Sequence, residues 1–220
     1  MIISRGRRYI FVHIPKTGGT SMALALEVRA MKDDILIGDT PKALRRRNRA
    51  KRLTARGRIW KHSTLADIDG VVTRQEMQDF LIFTLVRNPW DRLVSYYHWL
   101  RVQEFDHPAV TLAKRLDFSG FLNDPVTRSA VSANTYESYM RDASGGLHDP
   151  VYVRIEELEA DLVPIRAHLG FDPRPGRSNA SVRERDWRTY YSDRDAALVE
   201  DLCSADIAGF GYEFGAPIVR

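Results

Sequence analysis

The run from Arg8 to Ile14, RYIFVHI, is almost continuously apolar, and it breaks abruptly at Pro15-Lys16-Thr17-Gly18-Gly19. A strand without polar alternation must be covered on both faces, which is the condition of a parallel strand in a layered α/β fold. The segment that follows, Thr20 to about Met31, is helix-prone, so the opening of the chain reads as strand, tight turn and helix. The pattern recurs twice. FLIFTLV, Phe80 to Val86, is a second buried strand; it ends at Arg87-Asn88, and Pro89 suits the first position of a helix reaching about Val102. Val151 to Ile155 is a third strand, and Glu156 to Leu169 a helix closed by Gly170. Strands separated by helices predict an α/β fold: a single domain over 1–220 with a mainly parallel central sheet flanked by helices. A chain of 220 residues suits one core better than two.

Between these units the signals are more local. Ser63 or Thr64 is an N-cap candidate for a short helix after Trp60-Lys61-His62, and Thr73-Arg74-Gln75-Glu76 fits a capping box. Residues 105–141 read as helices without a clean amphipathic stripe. Residues 172–186 hold two prolines, a glycine and four arginines and read as an ordered loop; Ser192 then caps a helix to about Ile207. No internal repeat is present. No apolar stretch is long enough to span a bilayer, and the first residues lack the apolar segment of a signal peptide. Cys203 is the single cysteine, which excludes an intrachain disulfide. A cytoplasmic protein is expected.

The net charge of +4 conceals an asymmetry. Lys42, Arg45, Arg46, Arg47, Arg49, Lys51, Arg52, Arg56, Arg58 and Lys61 follow one another with no acidic residue between them, so residues 42–61 carry +10 and the remainder −6. Such a block is either a solvated basic surface or a patch for an anionic partner.

Two segments carry chemistry. Pro15-Lys16-Thr17-Gly18-Gly19-Thr20-Ser21 combines what a phosphate site needs. Its glycines let backbone N–H groups approach an anion, the helix N-terminus adds partial positive charge, and Lys16 adds a full one. Thr17, Thr20 and Ser21 offer hydroxyls. Lys16 precedes the glycines, unlike the lysine of the nucleotide-triphosphatase loop, and the second strand ends in Arg87 where a metal-holding aspartate would stand. Anion binding without a metal is the expectation. In the second segment Arg87 leaves a strand end and Ser95 lies in the second turn of the next helix. The pair either grips a second phosphate, or Arg87 is tied structurally to Asp91.

Together, HIPKTGGTS after a first strand and VRNPWDRLVSYY after a later one closely resemble the PAPS-dependent sulfotransferases (PAPS being 3′-phosphoadenosine-5′-phosphosulfate), particularly the carbohydrate-modifying branch. The resemblance implies that Lys16, Thr17, Gly18, Gly19, Thr20 and Ser21 bind the 5′-phosphosulfate. It implies that Arg87 and Ser95 bind the 3′-phosphate, with PAP as product and no metal. Weaker similarity continues through VYVRIEEL and the tail ADIAGFGYEFG. The basic block matches no motif of that family. The acceptor expected is a hydroxyl-bearing molecule, a carbohydrate such as an anionic glycan, with no nucleic acid and no integral membrane segment.

Transfer of a sulfuryl group needs charge neutralised on the departing oxygen, a task for Lys16, and a base for the acceptor hydroxyl, for which histidine suits neutral pH. Of six histidines, His62 is the choice, because Lys-His-Ser-Thr resembles the segment carrying the base in several carbohydrate sulfotransferases. Glu156 is the alternative base, and His98, three residues after Ser95, lies on the same helical face. Two other functions compete: a P-loop kinase-like enzyme or metal-independent nucleotide-binding protein, and a nucleic-acid-binding protein acting through residues 42–61.

Overall fold

Five strands and twelve helices follow one another in a computed structural model that describes residues 1–176 and 183–216. In chain order they are β1 (Ile2–Ser4), β2 (Tyr9–Val12), α1 (Gly19–Glu27), β3 (Ile35–Leu36), α2 (Pro41–Ala50), α3 (Arg74–Asp79), β4 (Leu81–Val86), α4 (Pro89–Arg101), α5 (Pro108–Arg115), α6 (Phe118–Asn123), α7 (Pro125–Ala133), α8 (Tyr136–Met140), β5 (Val151–Arg154), α9 (Leu158–Asp161), α10 (Val163–Leu169), α11 (Asp193–Leu202) and α12 (Ser204–Phe210). They form two compact units, one from Met1–Val86 and Glu137–Asn179, the other from Arg87–Tyr136 and Ala180–Arg220.

The first unit holds the sheet, in the order β3-β1-β2-β4-β5. The expected parallel strands are β2, β4 and β5, with Val12 beside Thr84 and Val86 beside Arg154. The sheet is mixed, because β1 and β3 add an antiparallel edge. These two were illegible in sequence, since strands of three and two residues leave no periodicity to read. Every residue of β2 is buried, as its lack of alternation requires. Tyr9, Phe11 and Phe83 meet in the core, with the Phe11 and Phe83 rings 5.1 Å apart, and Met22, Ala23 and Leu26 of α1 close over them. Each such ring, fully buried, contributes about 1.5–3 kcal/mol. Thr84, also buried, donates its hydroxyl proton to Val12 O at 2.8 Å, so its hydroxyl is not left bare between β2 and β4.

Local rules set the helix starts. Thr73 and Glu76 form the predicted capping box of α3, and Thr40 caps α2 with Pro41 behind it. The helix expected from Glu156 to Leu169 is broken into a 3-10 turn, α9 and α10, and ends as predicted at Gly170 with φ 70°. The helix proposed after Ser63 or Thr64 is absent; this is a correction. Thr64 and Asp67 bond to each other's backbone N–H groups, and that satisfies the turn locally without starting a helix.

The second unit is helical around an aromatic core of Trp90, Tyr97, Phe118, Phe121 and Trp187. Its buried polar tips find partners: Trp90 Nε1 donates to Ala196 O, Tyr97 Oη to Leu116 O, and Tyr191 Oη to Trp90 O. The helix read from Ser192 to Ile207 is two helices, α11 and α12, hinged at Cys203. Part of the loop read over 172–186, residues 177–182, lies outside the described residues. No helix among the described residues is long and apolar enough to cross a membrane.

Candidate active site

The turn between β2 and α1 combines a left-handed glycine, a lysine and a helix start without a side-chain cap. Gly18 sits at φ 86°, a conformation costly for any side chain, and opens α1 as its N-cap. No side chain caps that end and no acidic residue lies in its first turn, so the partial positive charge of the helix is uncancelled by neighbours in sequence. Lys16 is half-buried and itself has φ 66°, a strained value for a lysine. Thr17 is fully buried and donates to Ile14 O at 2.9 Å, so its hydroxyl proton fixes the loop's shape. Thr20 and Ser21 remain partly exposed in the first turn.

His13 and His62 lie against this loop. A Cβ at Gly19 would stand 2.1 Å from His13 Cδ2, so the second glycine is required to admit the imidazole. The His62 ring meets the His13 ring edge-on at 4.7 Å, and His62 Nδ1 lies 2.8 Å from His13 O. A carbonyl only accepts, so the proton sits on Nδ1 and the Nε2 of neutral His62 carries the lone pair. Burial is the main force lowering the His62 pKa to about 4; the bond to His13 opposes it, and Lys61 and the Met1 ammonium add to it. Burial likewise pushes His13 well below the usual histidine range, helped by the Met1 ammonium, His62, Lys61 and Lys16. Both imidazoles are neutral at pH 7. Trp60 stands edge-on to His62 at 5.0 Å, and Lys61 pairs with Asp39 at 2.5 Å.

In the second unit, Asn88 caps α4 by accepting from the N–H groups of Trp90 and Asp91. Arg87, directly after β4, reaches forward to Asp91, with Nε at 2.8 Å and Nη2 at 2.6 Å from Oδ2. Arg183 takes the other oxygen of Asp91 at 2.5 Å. One carboxylate therefore orients two guanidinium groups. Tyr136 Oη donates to Arg87 O, which fixes the residue's backbone. Ser95 lies buried one turn of α4 beyond Asp91. The structural pairing with Asp91 is thus present and fixes the orientation of the Arg87 guanidinium.

A model of the sulfotransferase family matches residues 1–213. The chain belongs to the sulfotransferase family. Among solved structures it is similar to the mouse sulfotransferase SULT7A1, crystallised with PAP, at 21% identity. That match covers 93% of this chain and 86% of the mouse chain with a TM-score of 0.51, a likeness of fold. No curated protein matches the chain in sequence.

The remaining histidines of this sulfotransferase have other work. His107 caps α5 by accepting from Ala109 N–H, His148 pairs with Asp142 at 2.7 Å, and His168 bonds the carbonyls of Arg7 and Arg8. His148 is half-buried against that partner. His98 stacks edge-on against Tyr97 and Tyr190, and burial lowers its pKa. Glu156 lies in the 3-10 turn after β5. Sequence reasoning did not single out Arg183, Asp39 or Tyr136. Arg183 was hidden among the arginines of the 172–186 loop, and nothing local marked the other two.

The basic block resolves into α2 and a following turn. Lys42, Arg46 and Arg49 reach the carbonyls of Glu27, Met31 and Lys32, at and just past the end of α1, where positive charge is favoured. Arg45 and Arg47 are exposed on α2, and among the described residues neither forms an ion pair.

The two buried imidazoles set an acid limit on stability. Their folded pKa values lie below the unfolded value near 6.5, so between about pH 6.5 and 4 the unfolded chain binds more protons and stability falls as pH falls. His62 alone accounts for about 3 kcal/mol over that window. Urea titrations at pH 7 and pH 4.5 should show it; equal midpoints would mean that the imidazoles are solvated.

Proposed function

We propose that the chain moves the sulfuryl group of PAPS to a hydroxyl of a carbohydrate acceptor. The observation that carries this reading is an uncapped helix start, with Lys16 in its turn, beside a histidine whose Nε2 is held as a free base. Lys16, Thr17, Gly18, Gly19, Thr20 and Ser21 receive the 5′-phosphosulfate; Arg87 and Ser95, with Asp91 holding the guanidinium, receive the 3′-phosphate. As the acceptor oxygen bonds to sulfur, its proton passes to His62 Nε2. The sulfur–oxygen bond to the 5′-phosphate breaks, and Lys16 takes up the charge left on that oxygen. Because the loop with Lys16 and the Arg87 subsite provide the countercharge, no metal is required. The family match spans both units, which supports reading 1–220 as one sulfotransferase domain. The uncompensated charge of Arg45 and Arg47 favours an anionic glycan over a neutral one, and the single cysteine is compatible with a cytoplasmic enzyme.

Thermal denaturation with nucleotides tests the donor. PAP without Mg²⁺ should stabilise the protein by about 2.7 kcal/mol at ~100 times its Kd. Stabilisation by ATP with Mg²⁺ and none by PAP would transfer the assignment to a kinase-like activity. Stabilisation by an oligonucleotide alone would transfer it to a nucleic-acid-binding role.

The 3′-phosphate subsite has its own test. Arg87→Ala should weaken PAP by about tenfold or more, the scale of a charge-assisted hydrogen bond. Binding of adenosine 5′-phosphosulfate, which lacks the 3′-phosphate, should hardly change. Asp91 keeps Arg183 as a partner, so the variant is not left with a bare buried carboxylate. Equal losses for the two nucleotides would make Arg87 structural.

A further inference from the structure

Beside His62 the structure has an aromatic surface that neither the donor loop nor the core uses. Trp60 is 40% exposed, which is unusual for the largest apolar side chain when the other tryptophans the core needs are covered. Its ring lies 5.0 Å from the His62 ring at 84°, and the Arg58 guanidinium sits 4.9 Å over its face. Arg58 is exposed and, among the described residues, forms no ion pair.

The turn that presents these groups is fixed. Fully buried Ser63 accepts from Trp60 N–H at 2.9 Å, and its Oγ lies 2.8 Å from the carbonyls of both Arg58 and Trp60. Leu65 N–H donates to Tyr139 O, anchoring the next residues. Held in place by that framework, the indole loses little freedom when something stacks on it.

We infer that Trp60 and Arg58 form an acceptor subsite for an acidic sugar unit, placing one of its hydroxyls at His62 Nε2. The inference rests on the carbohydrate reading above and names the unit that reading leaves open. A pyranose has one face of C–H groups that packs on an indole and a rim of hydroxyls that stays polar. Arg58 lies over the indole and His62 meets it edge-on, so the part of the ring that stays exposed supplies the apolar half of such recognition next to the group that removes the proton. Arg58 supplies the other half. Its planar fork matches a carboxylate or sulfate in two parallel hydrogen bonds, and its position over the ring places that anion beside the stacked sugar. Lys61, the neighbour in the same turn, is already paired with Asp39, so Arg58 is the cation of this turn left for a ligand.

The neutral state of His62 fits this ligand. A protonated base would attract the acid group of the sugar onto its own nitrogen; the buried, uncharged imidazole leaves that group to Arg58 and keeps Nε2 for the hydroxyl.

The test uses the full chain saturated with PAP. A hexasaccharide of alternating uronic acid and N-acetylhexosamine and its carboxyl-reduced neutral counterpart are titrated calorimetrically. Trp60→Ala should bind both about tenfold more weakly, the scale of losing one stacked aromatic contact, and Trp60→Phe about twofold. Arg58→Ala should weaken the acidic hexasaccharide about tenfold and the neutral one little. In turnover assays the losses should fall on KM with kcat nearly unchanged, as for binding made equally in ground and transition states. PAP affinity should match the wild type in all three variants, which separates a lost subsite from a damaged fold. If the wild type sulfates the hexasaccharide and Trp60→Ala keeps its KM, this subsite is wrong and the carbohydrate reading stands. Equal losses on both sugars in Arg58→Ala would overturn the preference for an acidic unit. A wild type that ignores both hexasaccharides and sulfates a phenol or lipid hydroxyl would overturn the reading and the inference together.

Discussion

His62→Ala should lower turnover by about 10²–10⁴-fold, the usual range for a positioned general base. PAP affinity should stay within about threefold of wild type, since a group acting only in the transition state adds nothing to ground-state binding. The reason lies in the tautomer. His13 O fixes the proton on Nδ1, so Nε2 is the nitrogen left to take the acceptor's proton. His62→Asn makes the sharper variant, because its amide can still donate to His13 O while offering no base. Both variants should be slow, and Asn should melt closer to wild type. A fast Asn variant would reduce His62 to a spacer and direct attention to Glu156.

The pH profile carries the same signature. With the His62 pKa lowered to about 4 by burial, the free enzyme loses its base only as pH falls through that value, well below the usual histidine range. The kcat/KM profile should therefore rise near pH 4 to 5. Bound donor brings negative charge against the loop, which favours the imidazolium, so the kcat profile should rise at higher pH. Neither limb should survive in the residual activity of His62→Ala.

Lys16→Ala should fail differently, losing both donor affinity and turnover. Contact with the phosphosulfate in the ground state is worth about 1.5–3 kcal/mol, or roughly 10–150-fold in Kd. Charge growing on the departing oxygen makes the contact stronger at the transition state, adding about 10²–10³-fold in kcat. The backbone offers a control. Lys16 has φ 66°, which alanine tolerates no better than lysine and glycine adopts freely. Lys16→Gly should thus be at least as stable as Lys16→Ala and equally inactive, showing that the ammonium and not the loop's shape is missing. A Lys16→Ala enzyme that turns over normally would remove Lys16 from the chemistry.

How much of this was legible beforehand depends on the range of the interactions. RYIFVHI and FLIFTLV announced buried parallel strands because a strand covered on both faces has no polar alternation, and that is written in consecutive residues. Gly18, Thr73 with Glu76, and Gly170 announced their turns and caps, since backbone φ and side-chain-to-backbone bonds act within four residues. The family was legible for the same reason: the residues of its loop motif are contiguous. Ser63 and Thr64 misled because a serine or threonine serves a turn as readily as a helix cap, and the choice was made by Asp67 and by the anchoring of Leu65 on Tyr139.

Only the tertiary structure decided the electrostatic state of the site. A histidine in sequence has a pKa near 6.5; His62 is lowered to about 4 because folding buries it and sets it against His13, 49 residues away. Arg87 and Asp91 were visible as neighbours four residues apart, but Arg183, brought to the same carboxylate from 92 residues on, was not. The exposed face of Trp60 and the guanidinium resting on it likewise carry no sequence signal. Burial and charge compensation depend on which distant segments the fold brings together, and a linear pattern records only what lies close along the chain.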